Sequence, residues 1–216
     1  VNREIIATAL FNLLTGPPLV VPFTADTTTG SATLTAVSGT TGLMEGMPIA
    51  GDGVPLGATI ATITPAVTLS LPAIADRTAA ALLQGFQTAS RRLAEPAAEQ
   101  DMPSLYLIDA NEVHPGRQSG GSTLIELGYE AWIYTKAGAE ENAIPAQALN
   151  VLIDAIERAI YPVPTRFRQT LGVNGVHYTR IEGELQKDPG HSAQLAMAMV
   201  PIRVAVALMA DTYLLP

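Results

Sequence analysis

Between residues 24 and 81 the chain carries a single basic residue, Arg77, and consists largely of Thr, Ala, Gly and short apolar side chains. A stretch of this kind has no charged face to give an amphipathic helix. Its apolar residues recur with period two, which is the signature of short half-buried strands. Candidate strands are 31–37, 58–63 and 66–71, separated by glycine-rich turns at 39–42 and 51–57. The segment 23–82 therefore reads as an inserted all-β domain, small and sandwich- or barrel-like. It divides a discontinuous main domain into 1–22 and 83–216.

The flanking segments follow different periods. Asn2 is placed to cap a helix with Glu4 in its first turn and Ile6, Leu10, Leu13 and Leu14 on one stripe, stopped by Gly16, Pro17 and Pro18. Strands are expected over 84–93 and 104–109. A third strand, over 122–135, has Ile125, Leu127, Tyr129, Ala131 and Ile133 alternating with Glu126, Gly128, Glu130, Trp132 and Tyr134. A second helix is expected over 144–160, with Asn142 as cap, Pro145 near its first turn and Leu149, Leu152, Ile153, Ile156 and Ile160 as its apolar stripe. On its wet face Asp154 and Arg158 can pair, for about 0.3–0.5 kcal/mol. Two strands, 176–186 and 194–208, complete the order through a turn at 187–190. The bulky residues of the last strand change parity, Leu195, Met197 and Met199 against Ile202, Val204, Val206 and Leu208, which predicts a bulge near Val200 and Pro201. The fold class expected is α+β, a two-layer sandwich of a mostly antiparallel sheet with two helices on one face.

Composition narrows the chemistry. Hydrophobic residues make up 48% of the chain, enough for a sizeable core, and there is no cysteine, so disulfides, thiolate metal sites and cysteine nucleophiles are absent. A net charge of −8 argues against sequence-independent binding to the outside of duplex DNA, while leaving room for DNA passing through an acidic pore. No segment reads as a membrane span or a signal peptide.

The motif search finds no catalytic signature. His114, His177 and His191 have no paired metal-ligand spacing, so no metal or other cofactor is expected. Gly51–Gly57 lacks the Lys-Ser/Thr of a phosphate-binding loop, and Ser119 lacks the context of a nucleophile elbow. Glu182 and Glu184 share a face if the segment is a regular strand, which would suit acid/base chemistry only beside a cleft. The best binding candidate is the loop 111–121, with His114, Arg117 and Gln118 held between two strong strands.

In order and wording the main domain resembles the tail terminator (tail completion) proteins of long-tailed bacteriophages. The likeness rests on Arg3-Glu4-Ile5-Ile6, on Phe86-Gln87-Thr88-Ala89-Ser90-Arg91-Arg92-Leu93, and on Pro103-Ser104-Leu105-Tyr106-Leu107. It continues through Ala143-Ile144-Pro145-Ala146-Gln147-Ala148-Leu149-Asn150, Leu152-Ile153-Asp154-Ala155-Ile156-Glu157, Gln169-Thr170-Leu171-Gly172, Ile181-Glu182-Gly183 and Val200-Pro201-Ile202. The resemblance implies a structural virion protein without enzymatic activity. Such a protein forms a homo-oligomeric ring, a hexamer, on the end of the tail tube, stops tube growth and offers an interface to head–tail connector or neck proteins. DNA would pass only as cargo, and the protein would reside in the virion after assembly in the host cytoplasm. His114, Arg117 and Gln118 are then the candidate tube contact, and Asp154, Arg158, Arg180, Glu182 and Glu184 the candidate ring contact. The insert, with Gly42-Leu43-Met44-Glu45-Gly46-Met47-Pro48-Ile49, resembles small β-domains that decorate phage structural proteins, and it reads as dispensable for the main fold. The alternatives are another tail, neck or baseplate component, and a carbohydrate-active hydrolase using Glu182 and Glu184.

Overall fold

The computed structural model describes residues 2–17, 19–93, 102–114, 123–136, 145–161, 169–188 and 195–208. The chain opens on helix α1 (Arg3–Thr15), in which Ile6, Ala7, Leu10 and Leu14 are buried. The Asn2 side chain accepts a hydrogen bond from the Glu4 amide at 2.9 Å, the cap expected of it.

Five strands follow: β1 (Val21–Thr27), β2 (Ile49–Gly51), β3 (Ile60–Thr62), β4 (Thr68–Leu69) and β5 (Arg77–Gln84). They pair antiparallel in the order β1-β5-β2, with β3 and β4 as a separate pair. Val21 lies opposite Gln84, so the chain enters and leaves this segment side by side. Val21, Phe23, Ala25, Leu34, Ile49, Ile60, Leu69, Ala80 and Leu82 belong to an apolar cluster of their own.

The segment is nevertheless anchored to the rest. Met47 is fully buried in the main core, and Met44 packs against that core. At Gly46 a Cβ would approach Val151 to 3.2 Å, so the backbone itself rests on the second helix. Buried Gln84 locks the junction, accepting from the Met44 amide at 2.6 Å and donating to the Gly42 carbonyl at 3.2 Å. Such links contradict the reading of an insert that the main fold can lose without effect.

The main sheet contains β6 (Thr88–Ser90), β7 (Ser104–Val113), β8 (Thr123–Lys136), β9 (Val176–Ile181), β10 (Gln186–Asp188) and β11 (Leu195–Leu208). Its order is β10-β11-β8-β7-β6, with β9 also on β11, and all pairings are antiparallel except β6 with β7. Helix α2 (Pro145–Ile160) starts on its proline, where the missing N–H has no partner to lose. Its predicted stripe, Leu149, Leu152, Ile153, Ile156 and Ile160, is buried. Each such side chain is worth about 1.5–3 kcal/mol relative to exposure, which holds the helix down far more firmly than any surface ion pair. These residues share one core with α1, with Ile125, Leu127, Tyr129, Ala131 and Ile133 of β8, and with Ala196, Ala198, Val200, Ile202, Val204 and Val206 of β11. The result is a mixed α+β fold with a mostly antiparallel sheet.

Several local expectations are corrected. Residues 31–37 form no strand and make only the isolated bridges of Thr33 with Thr68 and of Thr35 with Asp26, because Ala36 turns to a φ of 48°. The expected strand over 84–93 is divided: β5 ends at Gln84, Gly85 takes a φ of 100°, and β6 begins at Thr88. Strand β11 has no bulge against β8, since its register runs unbroken from Leu195 to Leu208. Ala196 and Ala198 face the core there, while the bulkier Leu195, Met197 and Met199 turn to the other face.

The irregularity lies instead in the partner of β11. Ile181 pairs with Ile202 and Gln186 with Met199, so four residues, 182–185, stand opposite two. Pro201 has no N–H to offer at this point, and its carbonyl accepts from the Glu182 amide at 3.1 Å. Glu182 and Glu184 therefore lie in a break between β9 and β10 rather than on one face of a regular strand. The Asn142 cap falls outside the described residues.

Candidate functional site

The densest polar cluster is where the start of α1 meets β6 and β7. Strand β7 carries a bulge between Asp109 and Glu112, which turns this part of the edge toward α1. Glu112 accepts two hydrogen bonds from Arg3, Nε to Oε2 at 2.7 Å and Nη2 to Oε1 at 2.6 Å, a bidentate fork. His114 Nε2 lies 2.7 Å from the same Oε1. One turn of helix away, Glu4 pairs with Arg91, whose other amino group lies 3.8 Å from Asp109. These residues, with Asn111, Gly128 and Tyr129, surround a shallow cleft of about 120 Å³.

Across the cleft Arg203 of β11 stands opposite Gly128 of β8 and reaches over it to the bulge, donating to Asn111 Oδ1 at 2.7 Å. A Cβ on Gly128 would come within 2.4 Å of that guanidinium, so the glycine keeps the passage open.

The electrostatics favour fixed charges. The hydrogen bonds from Arg3 hold the Glu112 carboxyl below its ordinary value of 4.5, and those from Arg91 do the same for Glu4. A general acid needs the opposite shift. Burial, reinforced by the Asp109 charge, pushes the Tyr129 hydroxyl up to about 12, so it stays protonated. Because the folded Glu112 carboxyl is depressed, its contribution to stability is present above pH 4.5 and is lost as the pH falls through its lower folded value. Thermal midpoints measured from pH 6 down to pH 3 are expected to drop for the parent and to fall less for Glu112→Gln. Equal slopes would show that the fork contributes nothing.

A second cluster lies on the sheet face away from the helices. Tyr178 of β9 and Glu126 of β8 flank Ala205 of β11, and the Tyr178 hydroxyl donates to Glu126 at 3.1 Å. Arg180 stacks on the Tyr178 ring at 4.6 Å, pairs with Glu182 and approaches Glu126 to 3.5 Å. Burial, with the bond to Glu126, raises the Tyr178 hydroxyl above its usual value.

The structure distributes the sequence candidates over separate surfaces. His114 joins the first cluster, while Arg117 and Gln118 lie outside the described residues. Arg180 and Glu182 meet in the second cluster, whereas Glu184 is exposed in the break. Asp154 and Arg158 are exposed on α2, on the other side of the sheet from Arg180, and enter no ion pair among the described residues. The five ring candidates are thus not one patch.

Arg3, Glu4, Arg91, Asp109, Asn111, Glu112 and Arg203 were not singled out as site residues. Arg3 and Glu112 are 109 residues apart, and no local spacing announces such a pair. Among the described residues no group of three or more His, Asp or Glu could hold a metal ion, and no helix is long and apolar enough to cross a membrane. Compared with known proteins, the chain matches no family model and no curated protein.

Proposed function

We propose that this chain is a structural component of a bacteriophage tail that closes as a ring on the end of the tail tube and stops its growth. The observation that carries the reading is the α1–β6–β7 corner. Arg3-Glu4-Ile5-Ile6 and the segment ending Ala89-Ser90-Arg91-Arg92, two of the stretches on which the family resemblance rests, are joined there by the Glu4–Arg91 pair. They are far apart in sequence, so their meeting supports one shared architecture rather than scattered coincidences of wording.

The chemistry agrees with an interfacial role. The two clefts, about 120 and 230 Å³, fall below the roughly 300–1,000 Å³ usual for small-molecule sites. The acidic groups around the first are fixed as carboxylates by arginines. Glu182, needed for the hydrolase alternative, is held by Arg180 in an irregular segment. Residues 23–82 are then a β-module carried on the ring, fixed to it through Met44, Met47 and Gly46.

Removal of the gene from a phage that encodes it tests the assignment. Overlong tail tubes without heads are the expected result. Tails of normal length without heads would place the protein in the neck instead, and intact infectious particles would overturn a structural role altogether.

A further inference from the structure

Strand β9 is a free edge of the main sheet: β11 pairs with one side of it, and no strand lies on the other among the described residues. A free edge is a template for another chain, and proteins ordinarily blunt it with lysine, proline, bulges or a covering element. The sequence of β9, Val-His-Tyr-Thr-Arg-Ile, has neither lysine nor proline and is rich in strand-favouring residues. Its one permanently charged side chain, Arg180, is already paired with Glu182 and so offers little repulsion to an incoming strand.

The backbone groups on this edge are nonetheless occupied. Successive residues of a strand direct their N–H and C=O to opposite sides, so residues two apart present theirs to the same side. Thr179 is engaged by Gln169 in an isolated bridge. Two residues on, the Ile181 amide donates to the Tyr161 hydroxyl at 2.8 Å, and that hydroxyl lies 3.4 Å from the Ile181 carbonyl, a longer and weaker contact. Tyr161 directly follows α2, continuing its ladder through its own amide to Glu157 at 2.7 Å. Its side chain is 48% exposed, so core burial does not account for a large aromatic there. Ile160 beside it is buried, which fixes the position from which the phenol reaches the edge.

We propose that Tyr161 is an edge guard, occupying the outward hydrogen-bonding groups of Ile181 and so keeping a strand from a second copy of this chain off β9. A second copy is the relevant intruder because it presents an identical unpaired β9, able to pair antiparallel with this one. Edge-to-edge addition of this kind continues without closing whenever the other flank also pairs, and it yields filaments in place of a closed assembly. The inference does not depend on the tail assignment, since it concerns which contact between copies is prevented.

Tyr161→Phe in the full chain removes the hydroxyl and keeps the ring. Amide hydrogen exchange at Ile181 and mass by light scattering are followed over a range of protein concentrations. At low concentration the Ile181 amide is expected to exchange about tenfold faster than in the parent. As concentration rises, the mean mass should grow beyond that of the parent while Ile181 regains protection, because a neighbouring strand now covers it. A thermal midpoint close to the parent's confirms that the variant is folded. Unchanged exchange at Ile181 would overturn the proposal, as would faster exchange with the parent's mass distribution, or growth in mass without renewed protection.

Discussion

Gly85→Ala is expected to destabilise the protein by about 3–5 kcal/mol, a large part of the total stability of an ordinary domain. Gly85 has a φ of 100°, and a Cβ there would stand 1.8 Å from the Leu19 carbonyl oxygen and 2.9 Å from its carbon. Those atoms are backbone and cannot swing aside. The two connections between the main sheet and the β1–β5 segment cross at this point, so relief would require moving the chain on both sides. Gly30→Ala separates overlap from conformational strain: its φ is 78°, yet nothing lies within 4 Å of the added carbon. That variant should lose only about 1–2 kcal/mol, from the left-handed backbone alone. Urea unfolding of the pair checks the difference, and similar midpoints would mean that the crossing at Gly85 is looser than described.

The second large effect concerns Met47. It lies within the β-rich segment in sequence but is fully buried in the core formed by the helices and the main sheet. Met47→Ala should therefore destabilise the main core by about 2–5 kcal/mol, through lost burial and the cavity left behind. Deleting residues 24–81 and joining the ends should destabilise it at least as much, since Met44 and the backbone resting on Val151 go with it. Equal urea midpoints for the parent and the deletion would restore the idea of a detachable insert. A clear fall for both variants would establish that the segment is part of the wall around α2.

These two effects also mark where sequence reasoning reached its limit. Helix α2 was legible because five large apolar residues recur at helical spacing and Pro145 marks its start; β8 was legible because its apolar and polar residues alternate without interruption. Strand β11 was misread where bulk was equated with burial. Its core positions include Ala196 and Ala198, while Met197 and Met199 point away from the helices, an assignment made by pairing with β8 rather than by side-chain size. Strands β1 and β5 owe their pairing to the long-range match of Val21 with Gln84, and Ala-rich Arg77–Gln84 has weak strand preference of its own. The β9–β10 break has a cause visible in the sequence, Pro201, but its effect falls on the partner strand.

The polar clusters were less legible still. His114 was named, yet what fixes it is Glu112, itself held by Arg3 from the far end of the chain. Gly128 reads in sequence as one more outward position of an alternating strand. Only the pairing of β8 with β11 shows that its missing side chain lets Arg203 reach Asn111. Tyr161 likewise gave no signal, because a tyrosine at a helix end is unremarkable until the edge strand beside it is known.

The most direct test of the central claim is an electron-microscope image of the purified protein mixed with tail tubes assembled from their own subunits. The account predicts a single ring of this protein closing one end of each tube, with no further tube growth when more subunits are added. Protein spread along the tube walls, or tubes that lengthen from both ends as fast as in its absence, would contradict it.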